Sequence, residues 1–128
     1  MIVHEYCLIV YFNFPHLLKV PHKVTGVSVS KAVKDGNPSL RVTWNALHQN
    51  VADLSEYHVE YGRSSGEFTW GSLVSTHATS TLLPKLSPGT EYNVRVRAVS
   101  AAGYGEWSEV LTETTFDSEF SCHHVILL

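Results

Sequence analysis

Five residues, Gly62-Arg63-Ser64-Ser65-Gly66, fit the G-x-S-x-G pattern in which a strained strand-to-helix turn lifts a serine nucleophile above a sheet. That chemistry needs a helix after the second glycine. The next segment, Glu67 to Ser75, is rich in aromatic and hydroxyl side chains and shows no helical period. Ser64 is therefore expected in a Gly/Ser hairpin and not at a catalytic elbow. Among the eight histidines, Cys122-His123-His124 offers ligands for a metal. Adjacent side chains on an extended chain point to opposite sides, however, and neither a C-x-x-C nor an H-x-x-x-H partner accompanies them. No catalytic residue, metal or cofactor is expected, and no small-molecule substrate. His58, flanked by Glu56 and Glu60 at alternate positions, is expected to be an exposed surface histidine.

The bulk composition narrows the classes further. A chain of 128 residues is the size of one domain. With 44% hydrophobic and 16% charged residues it is too apolar for a disordered chain. A formal charge of −3 supplies no clustered positive footprint, so nucleic acid is excluded as a partner. Cys7 and Cys122 lie one in each flank, so the region between them holds no disulfide and must be stabilised by packing. Asn37 is followed by Pro38, which blocks the N-glycosylation signal there.

The elements that would position any site are short alternating runs separated by Gly, Pro, Asp, Asn and Ser clusters, the pattern of an all-β sandwich or barrel. Val27 and Val29 lead into a Lys34-Asp35-Gly36-Asn37-Pro38 turn, and Leu40, Val42 and Trp44 alternate after it. Tyr57, Val59 and Tyr61 mark a third strand, Trp70 to Ser75 a fourth, and Thr79 to Leu83 a fifth that stops at Pro84. Tyr92, Val94, Val96 and Ala98 form the longest alternating run, expected at a sheet centre, and Val110 to Thr115 closes the count at seven strands. Residues 1–19 are an apolar N-terminal flank interrupted by Asn13, Pro15 and His16, too short for a spanning helix and without the basic start of a signal peptide. Residues 117–128 form a C-terminal tail with no assigned fold; both flanks read as fragment ends.

Residues 20–116 resemble a fibronectin type III domain. The resemblance rests on Val20-Pro21, Leu40-Arg41-Val42-Thr43-Trp44, Tyr57-His58-Val59-Glu60-Tyr61, and above all on the segment from Leu86-Ser87-Pro88-Gly89-Thr90 to Ala98. Gly103-Tyr104-Gly105-Glu106-Trp107-Ser108 and Thr114-Thr115 match the end of the family's pattern. The resemblance implies a seven-stranded antiparallel, immunoglobulin-like β-sandwich. Trp44 should then fill the space between sheets, where truncation to alanine costs about 3–5 kcal/mol. Tyr92 should form a tyrosine corner with backbone near Leu86. These three are structural residues. Glu56, His58 and Glu60 should face Asn93, Arg95 and Arg97 across neighbouring strands. Trp107-Ser108 also resembles one half of the Trp-Ser box of cytokine receptors, which would lay Trp107 over Arg95 or Arg97.

The function implied by the resemblance is a non-catalytic binding or spacer module of an extracellular adhesion protein or receptor ectodomain, monomeric, attached to a membrane only through other parts of a parent chain. Its partner would be a protein. The candidate contacts are Tyr104, on the loop from Ala101 to Glu106, together with Glu106 and Trp107. Two other readings stand beside it. One is an accessory domain of a receptor tyrosine phosphatase or kinase. The other is a secreted carbohydrate-binding sandwich, for which Trp70, Tyr104 and Trp107 would form one aromatic platform.

Overall fold

A computed structural model describes residues 20–47, 54–75 and 77–117. The Cys122-His123-His124 string, both cysteines and nearly all of the two flanks lie outside these residues. The first strand, β1 (Ser28–Lys34), pairs antiparallel with β2 (Asn37–Thr43). The turn between them contains only Asp35 and Gly36, at φ 52° and 77°. Two left-handed residues in succession give a turn whose twist matches that of the flanking strands, and Asp-Gly tolerates this conformation well. Asn37 and Pro38, expected in the turn, belong to β2 instead. Pro38 is accommodated because β2 meets its other neighbour, β5 (Ser80–Leu83), only from Leu40 onwards. No ladder hydrogen bond is lost at the proline. Its carbonyl accepts from the Leu86 amide at 3.0 Å, which ties the chain after β5 to the start of β2.

The smaller sheet has the order β1-β2-β5. In the larger, β4 (Trp70–Ser75) forms one edge, followed by β3 (Leu54–Arg63) and β6 (Glu91–Ser100). The far side of β6 is shared by β7 (Gly103–Tyr104) and β8 (Leu111–Thr114). Leu40, Val42, Trp44, Leu83 and Leu86 meet Tyr57, Val59, Tyr92, Val94, Val96 and Ala98 between the sheets, all buried. Each fully buried aliphatic or aromatic side chain of this kind stabilises by about 1.5–3 kcal/mol. Trp44 and Tyr57 lie with ring centroids 5.2 Å apart at 57°, in a tilted arrangement.

The expected seventh strand is β8, and one further short strand, β7, precedes it in the segment expected as a loop. Gly105, Ser108 and Leu111 meet Ala98, Val96 and Val94 in turn, so this segment takes three residues for every two on β6. The extra residue per step carries the chain out of regular pairing between β7 and β8, and Trp107 lies in that excursion. Gly105 is needed in this segment because a Cβ there would sit 2.8 Å from the Pro21 carbonyl oxygen.

Gly103 neighbours Val20 at one end of β6, while Gly89, just before its other end, neighbours Asp117. Val20 and Asp117 therefore lie at opposite poles, separated by roughly the length of β6, about 30 Å at 3.3 Å per residue.

Candidate interaction face

The outward side of β3 and β6 concentrates the charged and aromatic groups. Residues Arg95 and Arg97 stand two apart on β6 and so project to the same face. Register sets Glu60 opposite Arg95 and His58 opposite Arg97, while Glu56 meets Val99 and Asn93 meets Gly62. Only part of the expected charge ladder forms, because the regular register that sets Glu60 and His58 against the two arginines carries Glu56 past them to Val99; the bulge comes only beyond it, between Glu56 and Leu54. Glu60 Oε2 accepts from Arg95 Nη2 at 2.7 Å and from Nε at 3.1 Å. Glu56 turns along its own strand to His58 Nε2, 3.1 Å away.

Over this row lies a stack of alternating rings and guanidinium groups. Arg95 is 4.1 Å from the Phe68 ring centre and 4.2 Å from that of Trp107. The Trp107 ring also lies 4.2 Å from Arg97, and Arg97 is 3.8 Å from Tyr104. The Tyr104 ring then meets His58, centroids 5.5 Å apart. Guanidinium planes suit such stacking because they are flat and weakly hydrated. Ser108 holds the stack in register: its amide donates to the Val96 carbonyl at 2.7 Å, and its hydroxyl accepts from the Val96 amide at 2.9 Å. A buried hydroxyl thus replaces a backbone carbonyl in the ladder, which fixes Trp107 above both arginines. Arg97 has no carboxylate partner among the described residues, and its buried Nε makes no hydrogen bond. The faces of Tyr104 and Trp107 are what its charge meets.

Tyr104 is 57% exposed and belongs to β7, not to a free loop; its ring lies on Arg97. Glu106 is exposed and Trp107 half-buried. His58, expected on the open surface, is only 19% exposed in its side chain, because Tyr104 and Glu56 cover it. The alternation of β3 indicated its outward direction, but nothing local indicated the ring that β7 folds over it. Phe68 and Ser108 were missed as members of the stack. The Trp107-Ser108 dipeptide is the one signal that could have found Ser108; Phe68 arrives from an irregular segment and carries none.

At the opposite pole, Tyr92 lies with its ring buried and its hydroxyl accepting from the Ser87 amide at 3.0 Å, and Leu86 is buried beside it. Trp70 stacks on Tyr61, centroids 5.6 Å apart at 27°, and lies 6.4 Å from Tyr92. Burial, and secondarily the neighbouring Tyr92, raises the Tyr61 phenol above the ordinary tyrosine value. Since Trp70 is opposite inward-facing Tyr61, it belongs to the other face of the sheet from Trp107. Trp70, Tyr104 and Trp107 do not form one platform.

Gly62 and Ser64 have no catalytic setting. Ser64 and Ser65 lie in the turn after β3, where the Ser64 amide donates to the Glu91 carbonyl at 3.0 Å. Gly62 is required because the Glu67 carbonyl occupies the place of its Cβ. Among the described residues no three His, Cys, Asp or Glu groups could hold a metal, and no helix is long and apolar enough to cross a membrane.

A two-sheet antiparallel sandwich, with Val20 and Asp117 at opposite poles and a structured outer face, defines a binding or spacer module. The sequence profile of the Fibronectin type III domain matches residues 22–114, and the chain belongs to that family. It is 30% identical over 102 residues to Ephrin type-B receptor 4b of Danio rerio, covering 79% of this chain and 10% of that protein. It is also 30% identical over 89 residues to the Cell adhesion molecule Dscam1 of Drosophila melanogaster, covering 66% of this chain and 4% of that one. Among solved structures, the FN1–FN3 domains of chicken CNTN1 align with a TM-score of 0.66 and 26% identity, over 77% of this chain and 32% of that one. The chain thus spans a tenth or less of the length of these two relatives. It is a fibronectin type III module, similar to those of cell-surface receptors and adhesion proteins.

Proposed function

We propose that this domain works outside the cell as a non-catalytic spacer and protein-binding unit of a larger receptor or adhesion chain. The observation that carries the reading is the placement of Val20 and Asp117 at opposite ends of β6, in a family member whose relatives are named receptors and adhesion molecules. Domains with poles so placed extend end to end. Partner contact falls to the outer face, where Tyr104 and Glu106 offer exposed atoms and Trp107 supports them from beneath. The ephrin-receptor similarity favours, as a second reading, an accessory domain of a receptor tyrosine kinase. Either way this domain holds no catalytic role.

The test is to express the full parent transcript in cultured cells with an epitope in the Asp35-Gly36 turn, and to stain intact and permeabilised cells. Staining of intact cells is expected. Staining only after permeabilisation would place the domain inside the cell and overturn the proposal.

A further inference from the structure

Among the described residues, strand β4 is bonded to β3 on one side and to no other strand, so its second row of backbone N–H and C=O groups is open there. Every other edge among the described residues is guarded. β1 carries Lys31 and Lys34, β5 has four residues and stops at Pro84, β7 has two residues, and β8 carries Glu113. Charges, prolines and short lengths are the devices by which sheet edges avoid pairing with another chain. None is present on β4. From Phe68 to Pro84 the sequence has no Asp, Glu, Lys or Arg, and Leu73, at the middle of the strand, is 67% exposed. Trp70 on the other face is 46% exposed.

We propose that β4 pairs antiparallel with β4 of a second copy of this chain, joining two larger sheets into one continuous sheet. The residue pattern selects a second copy because it is self-complementary about one point. A two-fold axis through Ser72 sets Trp70 opposite Val74 of the second copy and Gly71 opposite Leu73 of the second copy. Each large side chain then meets a smaller one on the same face of the sheet, the condition for a favourable cross-strand pair. An axis through Leu73 would instead place two leucines head to head, and one through Gly71 would set Trp70 against Ser72. The acidic row Glu56 and Glu60 does not oppose the pairing. It lies on β3, so the two rows are separated by three strand spacings, about 14 Å, more than the screening length of about 8 Å in physiological salt. Such a contact is isologous and closes at two copies. It replaces the expectation of a monomeric module and does not depend on where in the cell the domain works.

The test is sedimentation velocity of the full chain under reducing conditions over a concentration series. The wild type should move from monomer to dimer mass as concentration rises. Leu73→Lys should remain monomeric throughout, whereas Val110→Lys, which alters an exposed apolar residue away from β4, should dimerise as the wild type does. A second measurement reads the register: with Cys7 and Cys122 replaced by serine, Ser72→Cys lies on the axis and should oxidise to a covalent dimer. A wild-type chain that keeps monomer mass at every concentration, or a dimer that Leu73→Lys leaves intact, overturns the proposal.

Discussion

On the β6 side of the larger sheet, Arg95 and Arg97 are held between Phe68, Trp107 and Tyr104, whereas two strands away β4 carries no charge between Trp70 and Ser75. Both regions grow from the same buried row of Tyr57, Val59, Val94 and Val96. Their difference lies in what covers them. The β6 face is closed by residues of its own chain, because the three-for-two pairing of the Gly105 to Leu111 segment turns Trp107 back over the strand. Among the described residues the β4 edge receives no such return, since the next strand, β5, belongs to the other sheet. A sheet can thus be charged and self-contained at one side and apolar and open at the other.

The largest expected effect comes from removing the cover on the closed side. Trp107→Ala deletes the ring that meets two guanidinium groups and leaves the unpaired Arg97 Nε open to water on one side. We expect a loss of about 2–3 kcal/mol, less than the 3–5 kcal/mol of a fully buried tryptophan because Trp107 is half-buried. Urea denaturation should show a lower midpoint with an unchanged slope. Trp70→Ala at the open side should cost about 1 kcal/mol, since much of that ring already faces solvent. Equal losses from the two would show that the stack contributes nothing beyond area.

How much of the molecule was legible in its sequence divides along the same line. Strands built on strict alternation, from Leu40 to Trp44 and from Tyr92 to Ala98, could be read directly, because a period of two is the imprint of one buried face. Trp44 and Tyr92 fall on these runs, but their roles, and that of Leu86 beside the tyrosine corner, were implied by the resemblance to the family. The segment from Gly103 to Leu111 could not be resolved that way. Its contacts repeat every three residues, so alternation is lost, and it read as a loop leading to one strand. The cover over His58 is likewise invisible locally, since Tyr104 is 46 positions away in the chain. The bareness of β4 was written in its composition, but which side of the strand stays unpaired depends on the sheet order.

A smaller effect isolates the ion pair from the stack. Glu60→Gln removes the charge that Arg95 meets but keeps its rings, Phe68 and Trp107, in place. With Arg95 and Glu60 side chains 28% and 33% exposed, the loss should be below about 1 kcal/mol. It should shrink further when stability is measured in high salt, because a partly exposed pair is screened. A loss that grows or holds constant with salt would mean that Glu60 acts by packing or hydrogen bonding and not through its charge.

The finest contrast is in proton binding beside β4. Tyr61 lies under Trp70, and its phenol is raised above the ordinary tyrosine value, first by burial and then by Tyr92. In the unfolded chain the proton leaves at the ordinary, lower pH. Stability is therefore fully present at neutral pH, and it is lost as pH rises from that ordinary value through the folded one, because the unfolded state ionises first. A phenolate absorbance titration of the wild type, read as a difference against Tyr61→Phe, should show this late-titrating group. Trp70→Ala removes the ring that shields it from solvent at the open edge and should bring the titration back towards the ordinary value. An unchanged titration in Trp70→Ala would mean that Tyr61 is shielded by the shared core alone, and that the β4 edge is even less protective than its contacts imply.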